Sequence, residues 1–150
     1  MGYAVLHIDK ARSNDSGNTA HIARTYTPSN VDPSRTRLNR ELVQFPANVT
    51  NRSEAIEHRI ATAGIYRKVA KNQVKALRFI LSSSPEDMAR IEQEGLLYEW
   101  CDESMDWLRS TFGADNVVAA TLHADEDTPH IHATVVPIVT GERRKAKEEA

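Results

Sequence analysis

Three histidines near the end of the sequence have the residue types and spacing of a metal site. His123 closes one apolar segment, VVAATLH, and His130 and His132 open the next, HIHATVVPI. Side chains alternate between the faces of a β-strand, so His130 and His132 point to the same side. If the segments pair as a hairpin across ADEDTP, His123 lies beside them at the turn. Three neutral imidazoles with open coordination positions suit a divalent ion used for chemistry.

The turn between these segments carries three carboxylates, Asp125, Glu126 and Asp127. Beside a divalent ion, carboxylates can orient a bound water, hold a ligand imidazole or accept a proton. The alternative is a charged turn whose carboxylates are exposed to solvent and serve only solubility. For His130 and His132 the alternative is a pair of exposed strand residues. The third histidine across the turn favours the metal site.

Charge is distributed unevenly along the chain. The 150 residues carry a formal net charge of -2, but residues 1–80 hold 13 Lys and Arg against 6 Asp and Glu, while residues 81–150 hold 6 against 15. A basic half is typical of proteins that bind phosphate-rich partners. A divalent ion facing this half predicts a phosphate substrate, since the ion polarises a phosphoryl oxygen. The alternative is a surface of uneven composition.

A phosphate-directed site also requires a nucleophile. Besides water, the N-terminal third offers Tyr3, His7, His21 and Tyr26. His21 follows a polar loop on a short helix predicted over 19–26, where a side chain can face a cleft. A single helical histidine is more often structural, so these residues alone leave the identity of the nucleophile open.

The periodicity of the sequence predicts an α+β fold. Strands are predicted over 3–8, 74–82, 116–123 and 130–138, and helices over 19–26, 53–70 and from Ser84 to about Phe112. Ser84 and Pro85 suit the start of the last helix, Asp87 completes a capping-box-like pattern, and Gly95 marks a break. The order of elements predicts an antiparallel sheet with helices packed mainly on one face.

Composition excludes several classes of protein. The sequence has no apolar run of about 18 residues and no signal-peptide pattern, so we expect a cytoplasmic protein. Its single cysteine, Cys101, excludes an internal disulfide and a multi-thiolate metal site, and its helical spacing with Leu97 and Met105 predicts a core position. We expect a domain over 1–140, with the charged segment 141–150 beginning a helical extension of a longer protein.

Two segments resemble the Pre/Mob (MobV-type) plasmid mobilisation relaxases. HADEDTPHIHATVVPI is similar to the family motif HxDExTPHxHxxxVP. NTAHIARTY, followed by DPSRTRLNREL, resembles the family's N-terminal histidine motif and its downstream N-x-x-L motif. The resemblance places the chain in the HUH endonuclease superfamily. It implies a ferredoxin-like antiparallel sheet and a histidine-bound divalent metal, commonly Mn²⁺ or Mg²⁺.

The resemblance also implies an activity. Such enzymes nick one DNA strand at a transfer origin, remain linked to its 5′ phosphate and later rejoin the strand. By the family's motifs, the metal ligands are His123, His130 and His132, and the nucleophile is His21. Tyr26 is the rival nucleophile, because many relaxases attack with tyrosine.

Further roles follow from the same motifs. Glu126 matches the motif's glutamate and is the expected proton acceptor at His21. Asp125 matches the motif's aspartate and is expected to orient the metal ligands without binding the ion itself. The residues expected to contact DNA are Arg24, Arg35, Arg37, Asn39 and Arg40. Some relatives have a tyrosine after the asparagine of N-x-x-L, where this chain has Arg40. Expected partners are single-stranded or supercoiled origin DNA and accessory mobilisation or coupling proteins.

Other functions stay open on sequence grounds. A rolling-circle replication initiator or transposase of the same superfamily would share the metal site and the nicking step. A DNA-binding module with a structural metal would bind without cleaving, and a metal-dependent hydrolase would act on small substrates. We expect replacement of His21 to abolish nicking by a relaxase and to leave the last two functions unaffected.

Overall fold

A five-stranded antiparallel sheet forms the centre of the protein, described here from a computed structural model covering residues 4–11, 15–24, 29–63 and 74–138. The strands are β1 (Ala4–Ala11), β2 (Arg40–Glu41), β3 (Ala76–Ser83), β4 (Val117–His123) and β5 (His130–Val135). The helices are α1 (Ser16–Ala23), α2 (Arg52–Thr62), α3 (Pro85–Gln93) and α4 (Leu97–Phe112), with short 3-10 helices at Pro33–Leu38 and Ala114–Asn116. The strand order is β1-β3-β5-β4-β2. The predicted α+β class with an antiparallel sheet is confirmed.

The two faces of the sheet differ because side chains alternate along each strand. On β5, Ile131, Ala133 and Val135 are buried in the main core with residues of α3 and α4. His132 and Thr134, between them in sequence, point to the opposite face. Helices α1 and α2 lie on this second face, so helices cover both faces of the sheet. The prediction that the helices pack mainly on one face is therefore wrong.

Helices α3 and α4 replace the single long helix that the sequence predicts from Ser84 to Phe112. The hydroxyl of Ser84 accepts a hydrogen bond from the backbone N–H of Asp87 at 3.2 Å, so the predicted N-cap is present. Gly95 has φ +74°, a conformation that glycine adopts without steric cost. This left-handed residue ends α3 and redirects the chain, which confirms the break expected there.

The helix predicted over 19–26 begins earlier, at Ser16, and ends at Ala23. Asn18 lies inside α1, and its amide donates to the Asp15 carboxylate at 3.3 Å. Several polar residues in succession could each start this helix, so the sequence did not identify the first one. Tyr26 lies outside the described residues.

Helix α2 begins at Arg52 rather than at Ser53. Asn51 is its N-cap and accepts from the backbone N–H of Glu54 at 2.9 Å. Its last helical residue is Thr62; the predicted continuation over 64–70 lies outside the described residues.

The strands differ from prediction mainly at their ends. β1 was predicted over 3–8 but pairs with β3 along all eight of its residues, to Ala11. β2 was not predicted, because its two residues are ordered by pairing with distant β4. The charged segment expected over 141–150 lies outside the described residues. Within the described ranges, no helix is long and apolar enough to cross a membrane.

Candidate metal centre

The hairpin of β4 and β5 places the three histidines side by side at its turn. His123 is paired with His130 across the two strands, and His132 follows on the same face. The ring centroids of His123 lie 5.4 Å from His130 and 4.7 Å from His132, and those of His130 and His132 are 4.9 Å apart. The structure thus brings together all three histidines indicated by the sequence.

Backbone carbonyls fix the tautomers of two of these imidazoles. The Nε2–H of His123 donates to the carbonyl of Ile22 at 2.8 Å, and the Nδ1–H of His130 donates to the carbonyl of Thr128 at 2.8 Å. The remaining lone pairs are on His123 Nδ1 and His130 Nε2. His123 Nδ1 is buried and has no hydrogen-bond partner among the described residues. A buried lone pair of this kind calls for a bound donor or cation.

Glu126 contributes a carboxylate oxygen to the same point. Its Oε2 lies 3.4 Å from Nδ1 of His123 and 3.3 Å from Nε2 of His130. The family motif implies proton transfer by Glu126, whereas the structure places this oxygen among the histidine nitrogens.

These four side chains fit a first-row divalent ion. Their ligand atoms all lie within 4.8 Å of one another. Nε2 of His130 and Nε2 of His132 are 3.2 Å apart, close enough for both to reach one ion at bond lengths of about 2.0–2.1 Å. Imidazole nitrogens with one carboxylate oxygen form a donor set for manganese, iron, cobalt, nickel or zinc.

Burial keeps the histidines in the neutral form that binds metal. Burial, with the nearby charges of Arg24 and His130, lowers the pKa of His123 to about 4. Burial and the three neighbouring imidazoles lower the pKa of His132 to about 2. Both rings are therefore neutral at physiological pH, and their nitrogens need not lose a proton before they bind a cation.

Arg24 binds two consecutive carboxylates of the hairpin turn. Its guanidinium donates to both oxygens of Asp125 at 2.9 and 3.0 Å and to Oε2 of Glu126 at 2.8 Å. It also donates to the carbonyl of His21 at 2.8 Å. Burial opposes its charge, but these hydrogen bonds raise the pKa of Arg24. Arg24 therefore connects the end of α1 to the residue that sits between the histidine nitrogens.

Asp125 is completely buried and accepts three side-chain partners. Besides Arg24, Thr36 Oγ1 donates to it at 2.8 Å and Asn39 Nδ2 at 3.1 Å. Burial would raise its pKa, but these hydrogen bonds hold the pKa of Asp125 well below its usual range. The carboxylate is thus a fixed negative charge behind Glu126, and it does not touch the histidine nitrogens.

His21 lies in the last turn of α1, with its ring against the metal centre. The ring centroids of His21 and His132 are 6.4 Å apart, with an interplanar angle of 80°. Next to it in sequence, the carbonyl of Ile22 receives the hydrogen bond from His123. The structure therefore places His21 beside the cluster without including it among the four ligand atoms.

Helix α1 is also held from its other side by α2. Thr19 and Ser53 share a hydrogen bond of 2.8 Å between their hydroxyls. Arg52 is buried and donates to Thr19 Oγ1 at 3.2 Å, and it forms an ion pair with Asp15 at 3.0 Å. Its Nε donates to Thr134, two residues beyond His132 on β5. None of these contacts was indicated by the sequence, because they join segments far apart in the chain.

The residues expected to contact DNA separate into two groups. Arg24 and Asn39 use their side chains inside the protein, where Asn39 also accepts from the backbone N–H of Ala124 at 2.8 Å. Arg35 donates to the carbonyl of Ala124 at 2.9 Å and pairs with Glu92 at 2.7 Å. Arg37 and Arg40 are exposed, and no described carboxylate forms an ion pair with either one.

Some residues of the site were missed by sequence reasoning. Thr36 binds Asp125, Thr128 orients His130 through its carbonyl, and Asn30 donates to Oε1 of Glu126 at 2.9 Å. Thr128 lies within the acidic turn between the two strands, so the sequence of that turn could have indicated it. Thr36 and Asn30 belong to a turn-rich segment whose sequence carries no signal for this contact.

Comparison with known proteins shows what the whole chain is similar to. The family model Mob_Pre, described as plasmid recombination enzyme, matches residues 1–149. A plasmid recombination enzyme type 3 of Staphylococcus aureus is 32% identical over 99% of this chain and 37% of its own length. A plasmid recombination enzyme of a Bacillus species is 30% identical over 94% of this chain and 34% of its own. The chain thus spans about a third of these curated relatives.

A solved structure extends the comparison to the fold. The MobM relaxase domain (MOBV; Mob_Pre), in a manganese-bound crystal structure with oriT DNA of plasmid pMV158, superposes with a TM-score of 0.80. It is 26% identical, and the match covers 93% of this chain and 73% of that one. With the family model matching nearly every residue, the chain belongs to the Mob_Pre family of plasmid recombination enzymes.

Proposed function

We propose that this chain is the catalytic part of a plasmid mobilisation relaxase that nicks one DNA strand at a transfer origin. The observation that carries the proposal is the position of His21 beside three histidines and a carboxylate whose ligand atoms converge. The similar MobM relaxase domain is bound to manganese and to origin DNA. This likeness supports a manganese ion and origin DNA as the molecules that this chain binds.

In this proposal His123, Glu126, His130 and His132 hold a divalent ion, Mn²⁺ in the first instance. When bound, the ion withdraws charge from the non-bridging oxygens of the scissile phosphate. Mg²⁺ is the alternative ion, although three imidazoles suit manganese better than a cation that prefers oxygen ligands.

His21 is the proposed nucleophile. A neutral imidazole nitrogen attacks phosphorus, a P–N bond forms, and the bond from phosphorus to the 3′ oxygen breaks. The imidazole loses one proton and the departing 3′ oxygen gains one, so the step is balanced. The reverse attack by the 3′ hydroxyl rejoins the strand. Tyr26 is the alternative nucleophile. An adduct on His21 and an adduct on Tyr26 are distinguished by the peptide that carries the DNA.

The role of Glu126 is proposed to be ligation. Burial would raise its pKa, but the neighbouring His130 and the hydrogen bond from Arg24 lower it. A carboxylate of lowered pKa is a weak proton acceptor and a good ligand. The general-base role expected from the sequence is the second possibility, and a Gln variant separates the two.

DNA contact is proposed for the exposed arginines Arg37 and Arg40. Arg37 lies in the 3-10 helix Pro33–Leu38, and Arg40 is the first residue of β2, where it pairs with Leu122 one residue before His123. Arg24 and Asn39 act indirectly, because their donors already bind Asp125. We further propose that the protein acts in the cytoplasm on plasmid DNA, with accessory mobilisation proteins.

Mass spectrometry tests the proposal directly. The protein is incubated with Mn²⁺ and single-stranded DNA from the origin region of its own element. We expect a covalent adduct carrying the 3′ portion of the oligonucleotide, mapped to the peptide with His21 and absent in His21→Ala. DNA that stays bound but uncut with the wild-type protein would contradict the proposal and favour a binding module.

A further inference from the structure

Asn30 connects the loop before the 3-10 helix Pro33–Leu38 to a proposed metal ligand. Its Nδ2 donates to Oε1 of Glu126 at 2.9 Å, across 96 positions of the sequence. Among the described residues, this oxygen accepts a hydrogen bond from Asn30 alone. Neither metal ligation nor the attack of His21 accounts for the contact.

The two oxygens of Glu126 have different partners. Oε2 lies 3.4 Å from Nδ1 of His123 and 3.3 Å from Nε2 of His130, and Arg24 donates to it at 2.8 Å. Oε1 is held by Asn30. One oxygen of the carboxylate therefore belongs to the ligand cluster, while the other attaches the side chain to the loop.

Hydrogen bonds set the orientation of this carboxylate, because its covalent geometry does not. The terminal torsion of glutamate is broad, so many rotations of the carboxylate plane are close in energy. A single donor, Arg24 on Oε2, leaves the carboxylate free to turn about that hydrogen bond. A second donor, Asn30 on Oε1, fixes both oxygens and so keeps Oε2 among the histidine nitrogens.

The loop that carries Asn30 is itself attached to the hairpin turn. Although Asn30 is exposed, the next residue, Val31, is buried. The backbone N–H of Asp32 donates to the carbonyl of Asp125 at 2.7 Å. Asn30 and Asp32 thus bind the consecutive residues Glu126 and Asp125, so the amide of Asn30 reaches Glu126 from a backbone that is held in place.

A neutral donor suits this position better than a charged one. Arg24 already places one positive charge at Oε2 of Glu126. A further cation at Oε1 would offset the remaining negative charge and repel a divalent ion, since charges in a partly buried site are poorly screened. An amide orients the carboxylate and leaves its charge available to the metal. The residue type of Asn30 therefore fits a role in orientation.

We propose that Asn30 is a positioning residue that holds Glu126 in its metal-binding orientation. The inference rests on the proposed function, because it takes Glu126 as a ligand, and it adds a residue outside the four ligands. Removal of a group that orients a metal ligand typically lowers metal affinity about 10- to 100-fold. Because Asn30 acts through Glu126, its effect should disappear when Glu126 no longer ligates.

A double-mutant cycle, measured by calorimetric titration with Mn²⁺, tests this role. We expect Asn30→Ala to lower Mn²⁺ affinity about 10- to 100-fold in the wild-type background, and less than about threefold in the Glu126→Gln background. Ser29→Ala is the matched control, since Ser29 is exposed beside Asn30 and its side chain forms no hydrogen bond with a described residue. It should retain wild-type affinity. Thermal melting in EDTA confirms that each variant is folded.

Each contrary result identifies a different error. If the wild-type protein binds Mn²⁺ and Asn30→Ala binds it equally well, the positioning role is wrong and the metal centre stands. An equal loss in both backgrounds would show that Asn30 acts on the loop rather than through Glu126, which also overturns the inference. If the wild-type protein binds no Mn²⁺, the proposed function fails together with the positioning role.

Discussion

The imidazole of His123 donates its Nε2–H to the backbone carbonyl of Ile22 at 2.8 Å. This bond joins the strand that carries a proposed metal ligand to the helix that carries the proposed nucleophile, one residue from His21. The opposite nitrogen of the same ring faces the other ligand atoms. Because the carbonyl selects the tautomer, His123 links the metal centre directly to the end of α1.

The first prediction concerns metal binding by the histidines. We expect His130→Ala to lower Mn²⁺ affinity at least 10-fold, because removal of metal-site side chains costs that much even outside the direct ligands. Calorimetry measures the affinity. His58→Ala is the control, since His58 lies on α2 and lies outside the cluster. Unchanged manganese affinity in His130→Ala would remove this residue from the site.

Stability should respond to metal in the same way. At an ion concentration about 100 times Kd, binding to the folded state adds about 2.7 kcal/mol to the free energy of unfolding. We expect Mn²⁺ to raise the Tm of the wild-type protein and EDTA to reverse the rise, as followed by differential scanning fluorimetry. His132→Ala should lose the rise. An equal rise in that variant would show that the ion binds elsewhere.

Glu126→Gln separates ligation from proton transfer. Gln keeps the size and the hydrogen bond from Asn30 but loses the charge that binds metal and Arg24. If Glu126 is a ligand, both Mn²⁺ affinity and the nicking rate fall, and extra Mn²⁺ restores part of the rate. Loss of rate at unchanged affinity would instead establish the general base. Asp127→Asn, an exposed neighbour in the turn, is the control and should change neither.

Asp125 predicts a pH-dependent contribution to stability. Its folded pKa lies below the unfolded value of about 3.9, so the contribution is fully present above that value and is lost as pH falls through the folded pKa. At pH 7 we expect Asp125→Asn to cost about 3–5 kcal/mol, because Arg24 is then left buried without its main partner. Urea unfolding with EDTA present measures the difference. The gap should narrow only in strong acid; a gap that closes above pH 5 would contradict the assignment.

How much of this site the sequence predicts depends on how local each contact is. The hairpin and the convergence of its histidines follow from strand alternation and a short turn, all within residues 117–135. The α3–α4 break follows from Gly95 and its conformational freedom. These features involve residues that are close together in the chain, so the amino-acid sequence alone predicts them.

The contacts that hold the site in place are not local. Arg24 and Asp125 are separated by 101 positions, and Arg52 and Thr134 by 82. Nothing in either segment indicates the other: the sequence fits Arg24 equally well as a surface charge or as a DNA contact, and it assigns no role to Arg52. Arg24 was expected to hold a phosphate, whereas its donors bind two carboxylates of the turn. Only the folded structure shows which arginines already bind carboxylates of the protein itself.

The last prediction concerns Arg52 as a positioning residue for His21. Its guanidinium bridges Thr134 on β5 to Thr19 and Asp15 on α1, and α1 is only eight residues long. A helix this short is not stable by itself, so its position depends on such contacts. We expect Arg52→Met to slow single-turnover nicking by about 100-fold, the cost of a displacement near 1 Å at a reacting group.

Mn²⁺ affinity and DNA affinity should both persist in Arg52→Met, because the residue touches neither the four ligand atoms nor the exposed arginines. Arg52→Lys should restore part of the rate by keeping the ion pair with Asp15. Arg59→Met is the matched control, since Arg59 lies on the same helix and hydrogen-bonds Asn116 at 2.9 Å, away from α1. Equal loss of rate in both variants would show general destabilisation of α2, and an unchanged rate in Arg52→Met would show that α1 is positioned by His123 and Arg24 alone.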